Sequence, residues 1–166
     1  MDIPLIVAIA EVIGTVAVVV SLIYVGVQVR QNTRTTKLAT GQNLSRDMRD
    51  AIEPLYADSE FSKAYLNAQK DVEHLTGAER FRCYVFTQCY LRAMENAFYQ
   101  YQNGVVDEYV WQAYLANMKF SKNTAITSAF WRDRQHVFAT EFRDFFDSLS
   151  ADDPGVSVAP YSDSSS

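Results

Sequence analysis

The feature that most constrains this chain is a long apolar run near its amino terminus. The run extends from Leu5 to Val27, LIVAIAEVIGTVAVVVSLIYVGV, and Glu11 is its only acidic or basic residue. As an α-helix it would be about 34 Å long, which is enough to cross the hydrocarbon core of a bilayer. The alternative is a core helix of a soluble protein, but such helices rarely stay apolar for so long. We therefore predict a transmembrane helix over residues 1–29.

The residues on either side of the run predict its orientation. Asp2 is the only charged side chain before it, whereas Arg30, Arg34 and Lys37 follow it. Because basic residues favour the cytoplasmic side, we expect the amino terminus outside and the rest of the chain in the cytoplasm. The same three basic residues could hold anionic lipid head groups, or they could act only as topology determinants. A cleaved signal peptide is disfavoured, because it would begin with basic residues.

Small and polar residues of the run share one side of the predicted helix. Steps of three and four residues align Glu11, Gly14, Val18, Ser21, Val25 and Gln28, called the seam below. Membrane helices pack through small residues and interhelical hydrogen bonds, and a carboxyl group at membrane depth usually faces protein or water. We interpret the seam as a helix-packing face. In the alternative, Glu11 is protonated near the outer interface and the small residues have no special role.

A polar segment without proline, residues 30–53, follows the apolar run. A weak helical spacing continues there at Leu38, Gly41 or Leu44, Met48 and Ile52. We expect the first helix to extend into this segment. It should end at Pro54, since the residue before a proline disfavours the α conformation.

Residues 54–150 are predicted to form a small cytoplasmic helical bundle, so the expected fold class is all-α. Four helical stretches follow from apolar spacing: one from Asp58 or Ser59 to before Thr76, one over 77–102, one after Asp107, and one over 124–149 with a break near Ala139. Thr76 and Glu79 form a capping-box pattern. No segment shows the alternation typical of a strand. The tail, 151–166, has few large apolar residues and is expected to be disordered.

The second of these stretches is apolar all round. Phe86, Tyr90, Met94, Ala97 and Tyr101 lie on one side, and Phe81, Tyr84, Val85, Cys89 and Tyr99 on the other. Such a helix is either buried centrally or covered by a partner. We take Phe86, Tyr90, Met94 and Tyr101 as candidates for an interaction surface, with an aromatic core of the bundle as the alternative.

Two segments resemble a group of bacterial proteins. SLIYVGVQVRQNT, Ser21 to Thr33, is similar to the junction that joins a membrane helix to a helical domain in uncharacterised bacterial single-pass membrane proteins. FWRDRQHVFATEF, Phe130 to Phe142, is similar to their aromatic and arginine-containing carboxyl-terminal portion. The resemblance covers most of the chain. It implies one amino-terminal membrane helix, a following helical domain and a location in the bacterial inner membrane, and it implies no catalytic residue.

Charge and motifs exclude several classes of function. The net charge is −5 and no Lys/Arg-rich run is present, so no nucleic-acid partner is expected. Cys83 and Cys89 are too few for a disulfide framework, and six residues apart on one helix they point in different directions. The sequence contains no GxSxG, GxxxxGK, GxGxxG or HExxH motif. These observations favour a protein that is not an enzyme, without excluding one, and no cofactor is expected.

One pattern could hold metal ions. Each histidine follows an aspartate by three residues, as Asp71 with His74 and Asp133 with His136, and Glu95 could add a carboxylate. Acidic residues three positions before a histidine contribute to di-metal sites in helical bundles, although those sites use glutamate. The alternative is two partly exposed histidines with incidental carboxylate neighbours.

Three hypotheses of function follow. In the first, the chain is a membrane-anchored, non-enzymatic assembly protein that self-associates as a homo-oligomer or joins a larger membrane complex, with membrane lipid as a further partner. In the second, it is a membrane-tethered di-metal or small-ligand helical bundle. In the third, it is an oligomeric pore in which a ring of Glu11 carboxyl groups meets permeating cations or protons.

Overall fold

The computed structural model describes residues 3–150, apart from the side chains of residues 5–10 and 12. The elements are α1 (Ile3–Ala57), α2 (Ser59–Lys70), α3 (Gly77–Gln102), α4 (Glu108–Lys122), α5 (Ala125–Arg134), a 3₁₀ turn (Gln135–Val137) and α6 (Thr140–Ser148). No strand is present within residues 3–150, which confirms the all-α class. The tail, 151–166, lies outside the described residues.

The first helix extends well past the apolar run, and its expected end at Pro54 is wrong. α1 continues to Ala57. A proline in the last turn removes one hydrogen bond, the one that its missing N–H would donate to the carbonyl four residues earlier. Packing compensates for this loss, because Ile52 and Leu55 on either side of the proline contact buried residues. The Asp58 N–H then donates to the Pro54 carbonyl at 3.3 Å and closes the helix.

The chain divides into two compact units between Thr40 and Gly41, within α1. In the first unit, four threonine hydroxyls donate to the carbonyl one turn earlier in α1 at 2.9–3.0 Å: those of Thr15, Thr33, Thr35 and Thr36. These bonds satisfy the hydroxyl groups within the helix itself. The second unit is a bundle that contains the last part of α1 together with α2–α6.

Side-chain caps determine where helices of the bundle begin. The Asp58 carboxylate accepts a hydrogen bond from the Phe61 N–H at 3.0 Å at the start of α2, and Thr124 caps α5 in the same way. Thr76 and Glu79 form the predicted capping box of α3. Hydrogen bonds from the hydroxyl and N–H of Thr76 hold the pKa of Glu79 below its usual range. These local bonds explain why the starts of α2 and α3 could be predicted.

The end of α3 also agrees with the expectation. The helix stops at Gln102, and Gly104 follows with φ 67°. Glycine adopts this left-handed conformation without the strain that a side chain would add. The short turn leads directly into α4.

Aromatic side chains make up much of the core. One buried cluster joins the last part of α1 to α3–α6; its largest fully buried side chains are Leu44, Leu91, Met94, Met118, Phe130, Phe142 and Phe146. The other lies against α2 and contains Phe61, Tyr65, Ala68, Cys83, Phe86 and Ile126. Tyr84 and Tyr90 of α3 pack against both clusters. The other helices of the bundle therefore pack around α3.

The break near Ala139 is present as expected. Phe138 and Ala139 are extended and separate the 3₁₀ turn from α6. Phe138 is nevertheless buried. The break therefore turns the chain without interrupting the core.

Lys122 of α4 caps the end of α6. Its ammonium group donates hydrogen bonds at 2.7–2.8 Å to the carbonyls of Phe146, Asp147 and Leu149. A cation here satisfies carbonyl groups that no further helical turn reaches. Burial of the ammonium group lowers the pKa of Lys122.

Removal of a core ring should destabilise the bundle far more than removal of an exposed one. Phe142 is 1% exposed and Phe81 is 69% exposed. We expect Phe142→Ala to lower the free energy of unfolding by about 3–5 kcal/mol. Phe81→Ala, the matched control, should change it by less than about 0.5 kcal/mol. Urea unfolding of the full chain in detergent, followed by tryptophan fluorescence, measures both. Equal losses for the two variants would contradict the assignment of the core.

Candidate functional site

The apolar part of α1 is exposed along the length for which side chains are described. Ile13, Val18, Leu22, Ile23 and Val25 are each at least half exposed. α1 is long and apolar enough to span a membrane by length and composition, and within Ile13–Ala57 its most apolar 18-residue stretch contains no buried residue. A core helix of a soluble protein would be mostly buried.

The seam lies on the exposed surface of α1. All six of its residues, Glu11, Gly14, Val18, Ser21, Val25 and Gln28, are exposed. A Cβ atom added at Gly14 would meet nothing within 4 Å. Nothing else in the described part of the chain therefore requires glycine at this position. The Gln28 amide donates to the Tyr24 hydroxyl at 3.0 Å, which partly satisfies its polar group within the helix.

The basic residues after the apolar run are accessible to solvent. Arg30 and Arg34 are exposed, and Lys37 is half-buried. They lie one to three turns beyond Val27. From there their long side chains can extend so that the charged groups reach a charged surface at the end of the apolar segment.

The interaction surface expected on α3 is wrong for two of its four residues. Phe86 and Met94 are buried inside the bundle. Tyr90 and Tyr101 are half-buried and pack against the core; the Tyr101 ring stacks on that of Trp111 with centroids 4.7 Å apart. The spacing along α3 showed that these residues share a face, but not that α2, α4 and α5 cover it. The aromatic core, left open above as the alternative, is what the structure shows for these residues.

The five residues of the metal hypothesis do not come together. Asp71 and His74 pair with each other at 3.2 Å, and the imidazole of His74 is 91% exposed. They border a shallow cleft of about 300 Å³ near the start of α3. Asp133, His136 and Glu95 belong to α5, the 3₁₀ turn and α3. In the described part of the chain, no group of three His, Cys, Asp or Glu side chains could hold a metal ion.

Two of those carboxylates have structural roles instead. Asp133 accepts a hydrogen bond from the Tyr84 hydroxyl at 2.8 Å. Glu95 accepts one from the Ala139 N–H at 2.8 Å and pairs with Arg92 at 2.5 Å. Arg92 also donates to the Val137 carbonyl. Together, Arg92 and Glu95 attach the segment between α5 and α6 to α3.

The two cysteines differ in accessibility, and both are free. Cys83 is buried, and burial followed by the charge of Glu79 raises the pKa of its thiol to about 11. Cys89 is exposed. Cys89 is therefore the thiol expected to react in the folded protein.

The outward surface of α4 was missed by the sequence analysis. Tyr109 is 78% exposed and Phe120 38% exposed, and Ala113 and Ala116 lie between them. The opposite side of α4 faces the core, and Trp111 and Met118 are buried there. The sequence signal for an exposed apolar surface was the position of Tyr109 and Phe120, which lie away from the side of the helix that carries Trp111 and Met118.

Comparison with known protein families, with curated proteins and with solved structures finds no match.

The Glu95 carboxylate should be important for stability. We expect Glu95→Ala to lower the free energy of unfolding by about 1–3 kcal/mol, because the Ala139 N–H and the Arg92 guanidinium each lose a hydrogen-bond acceptor. Glu73→Ala, at an exposed position, is the control and should cost less than about 0.5 kcal/mol. Thermal unfolding of the full chain, in the presence and absence of a chelator, measures both effects. A loss seen only without chelator would instead identify Glu95 as a metal ligand.

Proposed function

We propose that this chain is a single-pass, membrane-anchored assembly protein of the bacterial inner membrane, without enzymatic activity of its own. Its amino terminus faces outward and its helical bundle lies in the cytoplasm. It associates with further copies of itself or with a larger membrane complex. The observation that carries the proposal is the exposed apolar length of α1, on which the seam is presented.

Burial of apolar surface supports the membrane anchor. Each large aliphatic side chain left in water forgoes about 1.5–3 kcal/mol. The apolar part of α1 exposes Leu, Ile and Val side chains in nearly every turn that is described. A bilayer removes all of them from water, and the helix satisfies its own backbone hydrogen bonds as lipid requires.

The charge distribution supports the orientation. Arg30, Arg34 and Lys37 follow the apolar run within three turns, and Asp2 precedes it. The positive-inside tendency favours a cytoplasmic bundle. Anionic lipid head groups at that surface are suitable partners for the exposed guanidinium groups of Arg30 and Arg34.

The seam supports assembly beyond simple anchoring. A carboxyl group at membrane depth is costly, and a second helix that hydrogen-bonds Glu11 reduces this cost. Gly14 and Ser21 allow close approach of a second backbone, which provides the packing that drives association in lipid. Since Gly14 has open space around its Cα within this chain, the room is available to a partner.

The resemblance to bacterial single-pass membrane proteins supports the same location. The segment Phe130 to Phe142, one of the two that carry it, has its aromatic residues Phe130, Trp131, Phe138 and Phe142 in the core. These aromatic residues therefore pack the core. This agrees with a group of proteins that share a membrane helix and a helical domain and for which the resemblance implies no catalytic residue.

Replacement of Gly14 by a bulky residue should break the assembly. We expect Gly14→Ile to shift the complex, extracted in mild detergent, to smaller species, because the added side chain prevents close helix approach. Native mass spectrometry of the intact full-length protein measures the number of subunits and any bound partner.

Gly26→Ile is the matched control for Gly14→Ile. Gly26 lies in the same helix, also with nothing within 4 Å of an added Cβ, and about 120° of rotation away from Gly14. It should leave the assembly intact. An assembly that survives Gly14→Ile, or that is lost equally in both variants, would remove the basis for the seam.

The orientation can be tested with the native thiol of Cys89. A membrane-impermeant maleimide should label the chain in lysed bacterial cells but not in intact ones, because Cys89 is exposed on a cytoplasmic bundle. Cys89→Ser should abolish the labelling, since Cys83 is buried and its pKa is raised. Labelling in intact cells would reverse the proposed topology.

A further inference from the structure

The two arginines that follow the apolar run share one side of α1. Arg30 and Arg34 are one helical turn apart, within about 40° of rotation of each other, and both are exposed. The other residues of 28–36 are uncharged, so the rest of the helix circumference at this level carries no charge. The positive-inside tendency counts basic residues near the membrane and does not depend on the side of the helix that carries them. The one-sided placement is therefore more than orientation requires.

Arg30 and Arg34 have no acidic residue near them along the chain. The sequence contains none between Glu11 and Asp47. Lys37 lies on the same side of α1, but it is half-buried and has an interaction of its own within the chain, so the argument uses the two arginines alone. Residues one turn apart have Cβ atoms about 5–6 Å apart. Two guanidinium groups at this spacing suit a ligand with two phosphate groups, each of which can accept a pair of hydrogen bonds.

An exposed apolar surface continues from the arginines into the apolar run. Val19, Ile23 and Gly26 lie within about 40° of rotation of Arg30. Val19 is 50% exposed and Ile23 63% exposed. A Cβ atom added at Gly26, one turn before Arg30, would meet nothing within 4 Å. Gly26 therefore leaves a notch where a ligand can approach the backbone, with apolar surface on one side of it and positive charge on the other.

This side of α1 is opposite the seam. Arg30 lies about 180° of rotation from Ser21. In an assembly that packs through the seam, the arginines and the notch face lipid and not the partner helix. A soluble phosphate compound would use the arginines but not the apolar surface beside them, whereas a phospholipid uses both.

We propose that Arg30, Arg34 and Gly26 form a binding site for a phospholipid of the cardiolipin type, in which one glycerol joins two phosphodiester groups. Each guanidinium group binds one phosphate, and acyl chains lie over Gly26 and Ile23. Two positive charges match two negative ones, whereas a lipid with a single phosphate leaves one arginine without an anion. The inference rests on the proposed membrane anchoring.

Titration with lipid tests the site. Native mass spectrometry of the full chain in mild detergent, with added cardiolipin, measures the lipid bound per subunit. We expect one cardiolipin per subunit, bound more tightly than phosphatidylglycerol, and no adduct with inorganic phosphate. Arg30→Gln combined with Arg34→Gln should weaken cardiolipin binding about thirtyfold, about fivefold for each arginine. An adduct with inorganic phosphate at the same affinity would overturn the assignment to a lipid.

An exchange of two residues separates a site from general attraction between charges. Arg34→Thr combined with Thr36→Arg keeps the composition and net charge, but it moves the second arginine to about 120° of rotation from Arg30. Both positions are exposed, and circular dichroism checks that the helix is retained. This variant should weaken cardiolipin binding about fivefold. Unchanged binding would overturn the site, because the number of charges alone would then decide.

The two glycine variants separate this inference from the proposed function. Gly26→Ile should fill the notch and reduce the cardiolipin bound per subunit without changing the number of subunits. Gly14→Ile should reduce the number of subunits while each subunit keeps its lipid.

The remaining outcomes are also distinct. A multimer that binds cardiolipin no better than phosphatidylglycerol overturns the lipid site and leaves the membrane assembly standing. A monomer that binds cardiolipin selectively supports the lipid site and overturns the assembly. A chain recovered without detergent in the soluble fraction of lysed cells overturns both.

Discussion

Packing of aromatic rings against α3 is the interaction on which the bundle depends. Phe98 contacts the rings of Trp111, Phe142 and Phe145, and so connects α3 to both α4 and α6. Trp131 of α5 contacts Phe138, Phe142 and Phe146. Rings are large and rigid, so a few of them fill the space between short helices. This allows helices of nine to fifteen residues around α3 to form one core.

The polar side chains near this core secure connections between helices. The Tyr84 hydroxyl binds Asp133, Glu95 binds the backbone at Ala139, and the Trp131 indole N–H donates to Asp147 at 2.7 Å. Each of these bonds joins groups distant in sequence. Buried aromatic surface and a few specific hydrogen bonds thus act together, the first providing most of the stability and the second selecting one arrangement.

The sequence predicted elements well where the determining interactions are local. The start of α3 depends on Thr76 and Glu79, three residues apart, and was predicted correctly. The end of α1 was not, because Ile52 and Leu55 keep the helix past Pro54 through contacts with residues distant in sequence. Burial of Phe86 and Met94 was likewise a tertiary effect. Periodicity defines a face of a helix, but the fold decides whether that face meets the core or solvent.

Side chains of two other helices hold the two ends of α6. A helix of nine residues is unstable alone in water, yet here Glu95 of α3 holds the backbone just before its start and Lys122 of α4 holds its end. Both of those residues precede α6 in the chain and are synthesised before it. We therefore expect α6 to form last, on a scaffold already assembled, and to be the first helix of the bundle released by local unfolding.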